Sequence, residues 1–232
     1  MKNIKYLFIL SFLACCIVVS GLAFTGCSNK YYALAKENIA EQRQNLYVGE
    51  SENLSATFMS GKREKDYVIN GYNTELIDFG VVTVTLKNNN ITKSDNATYS
   101  LLIGTNRYDG VMELNPFDGS YVADIKQIVN TTEGLVLDFS IGSFQEEITI
   151  INVSENWQIN HDQALEIACD ELKPYLKNMT ESTFMGEVYI KIIYDNKIQE
   201  NAYFWYVNFV GRGGETHSII INPTTGEILA KK

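Results

Sequence analysis

Apolar residues crowd the first part of the chain and then alternate with polar ones. Residues 6–24 (YLFILSFLACCIVVSGLAF) are almost unbroken in their hydrophobicity, and Lys2 and Lys5 precede them. From residue 46 to 153 the pattern changes to short β-branched and aromatic runs, at 76–86, 98–104, 110–114, 121–125, 135–141 and 147–153. Polar turn chemistry separates them, including Tyr108-Asp109-Gly110, Asn115-Pro116-Phe117-Asp118-Gly119 and Ile141-Gly142-Ser143. Asp-Gly between apolar runs is a hairpin signal. Short strands at this spacing predict an all-β unit, either a sandwich or a partly open barrel.

Beyond residue 157 the period changes again. Ala164, Leu165, Ala168, Leu172, Tyr175 and Leu176 recur at helical spacing. Asn160 is placed as an N-cap and Gln163 as the third helical residue, the pattern of a capping box. The helix is predicted to run to about Leu176, with Pro174 ending or kinking it. Four strands follow, at 187–194, 202–210, 215–221 and 227–230, joined by glycine- and asparagine-rich turns. The expected fold class is therefore mixed: an N-terminal all-β domain over 46–153 and a C-terminal α+β domain over 157–232. In the latter, one helix covers an antiparallel meander. Residues 28–45 are polar with scattered apolar positions, so 27–45 reads as a tether or short amphipathic helix.

The N-terminus has the parts of an export signal: a basic start, an apolar stretch and small residues before a cut. Its end, Thr25-Gly26-Cys27-Ser28, resembles a bacterial lipobox, although Phe24 stands where such boxes usually carry Leu. The resemblance implies a signal peptide over 1–26 and a diacylglyceryl group on Cys27. It also implies a protein anchored in the cell membrane on its extracytoplasmic face. No later apolar run reaches the roughly 18 residues that a second span needs. After cleavage only Cys27 and Cys169 remain, and Cys169 lies in the helical pattern among leucines, the position of a small core residue.

Charge narrows the partners. The net charge is −9, and removal of residues 1–26, which hold two lysines and no acids, takes it to −11. Such a surface is repelled by phosphate backbones and anionic headgroups, which argues against nucleic acid as a partner.

A second resemblance lies in the C-terminal third. Residues 162–168 (DQALEIA), 205–209 (WYVNF) and 219–229 (IIINPTTGEIL) are similar to a PepSY-type domain, with Asn222 where that family often has Asp. The resemblance implies an inhibitory or regulatory binding role and no catalytic residues. In the turn itself, Pro223 fixes one dihedral and Gly226 supplies a positive φ.

Catalytic and cofactor motifs are sparse. The two histidines, His161 and His217, fall short of the three or four ligands that a zinc site needs. There is no G-x-S-x-G elbow, no phosphate-binding glycine fingerprint and no EF-hand spacing. The expectation is a protein without catalytic residues, metal or cofactor. The candidate partner-binding residues are Tyr203 and Trp205 on the aromatic strand and Arg212 in the adjoining loop. The expected function is that of an envelope lipoprotein binding or regulating a protein partner. The alternative is an accessory substrate-binding lipoprotein with a small-molecule or glycan pocket between its domains.

Overall fold

The computed structural model describes residues 30–65, 74–94, 96–129, 131, 133–179, 186–199 and 202–232. Cys27 and residues 1–26, where a signal peptide is expected, lie outside the described residues. The chain opens with helix α1 (Lys30–Lys36) and then builds eight strands: β1 (Ile39–Glu50), β2 (Leu54–Glu64), β3 (Leu76–Leu86), β4 (Ala97–Ile103), β5 (Asn106–Leu114), β6 (Tyr121–Ile125), β7 (Leu135–Ile141) and β8 (Phe144–Asn152). Helices α2 (His161–Glu171) and α3 (Lys173–Met179) lead into β9 (Gly186–Tyr194), β10 (Tyr203–Gly211), β11 (Thr216–Ile221) and β12 (Ile228–Lys231).

The first eight strands close on themselves. Their order is β1-β2-β3-β6-β5-β4-β7-β8, and β8 returns antiparallel to β1 at Tyr47↔Asn152 and Val48↔Ile151. Alternation explains the closure: in β7, Leu135, Leu137, Phe139 and Ile141 point inward, and the residues between them are only half-buried. Eight strands leave an interior just wide enough for side chains to fill. Here Tyr47, Phe58, Tyr121, Phe139 and Leu101 fill it, all fully buried. Two hydroxyls draw Val129 and Thr131 against the barrel. Tyr47 Oη donates to the Thr131 carbonyl at 2.7 Å, and Ser60 Oγ donates to that of Val129 at 3.2 Å.

The remaining four strands extend the same sheet. β9 runs parallel to the first half of β1, with Ile39↔Val188 and Arg43↔Lys191 in register, and β10, β11 and β12 follow antiparallel. The helices pack over one face of this wing. Ala164, Leu165, Ala168 and Leu172 meet Val188, Ile190, Val207 and Phe209, with Ala35 and Ile39 from the start of the chain in the same cluster.

This overturns the expected fold class. The protein is mostly β, and its barrel is a closed one, neither a sandwich nor partly open. It is also not a separate all-β domain followed by a separate α+β domain, because β1 belongs to both parts and joins twelve strands into one sheet. The polar run Glu41-Gln42-Arg43-Gln44-Asn45, which reads as tether, is strand. Its side chains meet partners from two directions instead of an apolar core.

Two local expectations also change. Tyr108-Asp109-Gly110 is not a turn: β5 runs through it, and the reversal lies at Gly104, where φ is +59°. Gly110 is small because Tyr99 lies opposite it, and a Cβ there would come within 2.9 Å of the ring. The long helix is also broken, at Leu172, so Pro174 falls in the first turn of α3, where its missing N–H is tolerated.

Candidate functional site

β1 cannot keep both neighbours along its whole length. Up to Arg43 it pairs with β9, and from Tyr47 it pairs with β8. Between them its register against β2 slips by one residue, a bulge at Arg43/Asn45. Bulges bend a strand and increase its twist. Gly61 on β2 permits this one, since a Cβ there would strike the Gln42 carbonyl. β8 and β9 therefore part, and a hollow of about 230 Å³ opens at the fork.

Its walls come from four places. Gln44 and Asn45 stand at the bulge, Trp157 and Ile159 on the link after β8, His161 at the start of α2 and Trp205 on β10. The link is pinned by backbone bonds: the N–H groups of Gln158 and Ile159 donate to the Pro223 carbonyl at 3.1 and 2.9 Å. The Asn222–Gly226 turn, with Gly226 at φ +74°, thus holds the segment that carries Trp157. Trp205 Nε1 donates to the Ile159 carbonyl at 2.7 Å, and its ring meets Trp157 edge-on at 5.1 Å. His161 sits 6.4 Å from the same ring.

On the other side of Trp157 lies a second hollow of about 260 Å³, against Tyr203, Phe204 and the Pro223-Thr224 turn.

Two features set the chemistry. Asn45 is 5% exposed, and its Nδ2 has no acceptor among the described residues. Leaving such a donor unmet costs about 1–3 kcal/mol, so a group that supplies an oxygen there is favoured. His161 is held below its ordinary pKa by burial. Asp162 pulls it back up and Lys36 pushes it down, and the imidazole is neutral near pH 7. Asp162 lies 3.8 Å from the imidazole Nε2 through Oδ2, while its Oδ1 is 3.1 Å from Lys36 Nζ.

The arrangement holds no assembled nucleophile. Ser154 borders the first hollow, but its hydroxyl donates to Asn152 Oδ1 at 2.7 Å. Cys169 is fully buried on the inner face of α2, and burial pushes its thiol up to about 12. Glu41, Glu64 and Glu187 are buried near the seam between barrel and wing, yet none lines either hollow. Glu41 is clasped by Lys191 and Arg43, each at 2.5 Å, and Glu187 accepts from Tyr189 Oη at 2.6 Å. Among the described residues no group of three His, Cys, Asp or Glu could hold a metal ion. The second histidine, His217, stacks on Tyr175 at 4.3 Å, away from the fork.

The sequence-predicted residues divide. Trp205 lines the first hollow and Tyr203 the second. Arg212 is exposed in the β10–β11 turn, nine residues beyond Tyr203 and so roughly 30 Å along the strand. Asn45 and Trp157 were missed. Trp157, one of two tryptophans in the chain, carried a compositional signal; Asn45 carried none.

The chain matches no family model, no curated protein and no solved structure.

Proposed function

We propose that the chain is a cell-envelope lipoprotein, held at the extracytoplasmic face through a diacylglyceryl group on Cys27, that binds a small ligand at the fork without transforming it. The observation that carries the binding reading is the hollow itself, where the unmet amide of Asn45 lies with two indole rings. A concave site in which polar groups converge beside aromatic rings is the usual makeup of a ligand site. Rings, amides and a neutral imidazole hold a ligand; no pair of groups here is arranged to activate a nucleophile. The anchor rests on the lipobox resemblance.

The test uses the full-length protein in micelles, screened by thermal shift against neutral sugars, nucleosides and short peptides. A ligand at about 100 times its dissociation constant stabilises by about 2.7 kcal/mol. For a protein of this size that raises the melting temperature by about 5–10 °C. If no compound at millimolar concentration moves the melting temperature measurably, the binding reading fails. Acyl labelling that persists in Cys27→Ser would remove the anchor.

One observation favours a second reading, that of a protein-binding lipoprotein, which the PepSY resemblance also suggests. Phe117 is 96% exposed at the β5–β6 turn, and Asn115 Oδ1 fixes that turn by accepting from the Phe117 N–H at 3.1 Å. A photo-crosslinker at position 117 that captures no envelope protein would count against it.

A further inference from the structure

We infer that the ligand is an uncharged oligosaccharide lying across Trp157, with sugar units in both hollows. This rests on the binding reading above and names the class of ligand. Three observations lead to it.

The first is the absence of charge. Charged residues make up 20% of the chain. Yet among the described residues that line the two hollows there is no Asp, Glu, Lys or Arg. A phosphate, carboxylate or ammonium group brought into such a site would lose its hydration without gaining a counter-charge. His161 does not supply one, because burial keeps it neutral.

The second is the mixture of rings and amides. Trp157 and Tyr203 present aromatic surface, with the buried Trp205 ring behind Trp157, while Gln44, Asn45 and Asn222 present amides. A purely apolar ligand would leave the amides stranded, and the Asn45 Nδ2 donor in particular. A sugar has both surfaces: C–H faces that lie on rings, and hydroxyls that donate to and accept from amides.

The third is size. Small-molecule sites occupy about 300–1,000 Å³. The hollows, at about 230 and 260 Å³, each fall short of that range. Trp157 lines both and lies between them, so an occupant of ordinary size fills both by crossing its ring.

The chain offers its own reporter. Its two tryptophans, Trp157 and Trp205, both line the site, so intrinsic fluorescence reads the fork alone. The experiment titrates full-length protein, in a polyoxyethylene detergent that carries no sugar headgroup. The probes are maltotetraose, fully N-acetylated chitotetraose, a tetragalacturonate, a neutral tetrapeptide amide and a nucleoside. At least one neutral tetrasaccharide should shift the emission saturably, and the acidic one should bind at least about tenfold more weakly, having no counter-charge to meet. By thermal shift or calorimetry, Trp157→Ala should weaken the neutral sugar about tenfold, as removal of a central aromatic anchor does. Trp157→Phe should restore part of that loss. Asn45→Ala should weaken it about two- to tenfold, the worth of one hydrogen bond, without lowering the melting temperature.

Binding of the peptide or nucleoside while every saccharide is silent overturns this inference and leaves the fork as a binding site. Silence from every probe, with no hit in the thermal screen, overturns both. Saccharide binding that is unchanged in Trp157→Ala and Asn45→Ala places the sugar elsewhere and also overturns the inference.

Discussion

The barrel and the wing share one strand and close in opposite ways. In the barrel every strand has two partners, so no edge is left to pair with another chain. Its interior is packed solid by aromatic and aliphatic side chains. The wing ends on the four-residue β12, and its apolar cluster lies on the helix-covered face. The polar atoms that are buried without a partner among the described residues are Asn45 Nδ2, Glu64 Oε2 and Asn208 Oδ1. They sit on β1, on the end of β2 and on β10, and none belongs to the barrel's apolar cluster. A closed sheet that fills itself has no room for a ligand. The hollow at the fork arises where β1 must leave one neighbour for another, while a hollow of about 420 Å³ on β4, β5, β7 and β8 lies outside the packed interior.

The largest expected effect tests whether the two regions share one stability. Phe58 is fully buried in the barrel and Leu165 fully buried under the wing. Phe58→Ala should cost about 3–5 kcal/mol and Leu165→Ala about 2–5 kcal/mol. Hydrogen exchange should then separate them. The wing hangs on β1, so loss of the barrel exposes amides in both regions, whereas Leu165→Ala should expose only β9–β12 and the helices. If Leu165→Ala lowers protection in β4 and β5 as much as in β10, the regions are one cooperative unit and the comparison breaks.

The next effect lies at the seam itself, where two buried acids should respond to pH in opposite directions. Burial pushes the Glu41 carboxyl up, but Arg43 and Lys191 outweigh it and hold it below its ordinary 4.5. A depressed carboxylate contributes stability that is present above that ordinary value and is lost as pH falls through the folded one. Glu64 goes the other way: burial raises it, the Thr74 N–H opposes the rise, and Glu187 adds to it. Its contribution is present below 4.5 and is lost as pH rises through its folded value. Near neutral pH, Glu41→Gln should therefore destabilise, by about 2–3 kcal/mol, because it leaves two partly buried cations without their anion. Glu64→Gln should stabilise under the same conditions. Both differences should fade in acid. Urea midpoints at neutral and acid pH check this, and a shift of the two variants in the same direction at neutral pH would sink it.

Much of this was legible wherever structure is local. β3, β6 and β7 begin and end where alternation places them, and the Asn160–Gln163 capping box forms as its spacing implies. β1 was not legible, because its polar residues are buried by partners far away in sequence. Glu41 faces Arg63 on one side and Tyr189 on the other, and no local pattern encodes a parallel pairing between residues 39 and 188. The Asp109-Gly110 pair misled for a related reason: its glycine answers Tyr99 across the ladder, not a turn. The site divides in the same way. Tyr203 and Trp205 announce themselves on an aromatic strand, whereas Asn45 matters only because two strands, β8 and β9, part beside it.

The smallest effect sharpens the contrast from the wing's side. Asn160 Oδ1 accepts from the Gln163 N–H at 2.9 Å, and Gln163 Oε1 accepts from the Asn160 N–H at the same distance. Asn160→Ala removes the first of these bonds and should cost about 1 kcal/mol. Exchange should quicken at the first turn of α2, with β4 to β7 unchanged. A loss of several kcal/mol, or one that reaches the barrel, would mean that the cap holds the fork together and not merely its own helix. Asn160 also lines the first hollow. Asn160→Ala should weaken a ligand in the fork less than Asn45→Ala does, since the exposed Asn160 amide has water as an alternative and the buried Asn45 amide does not.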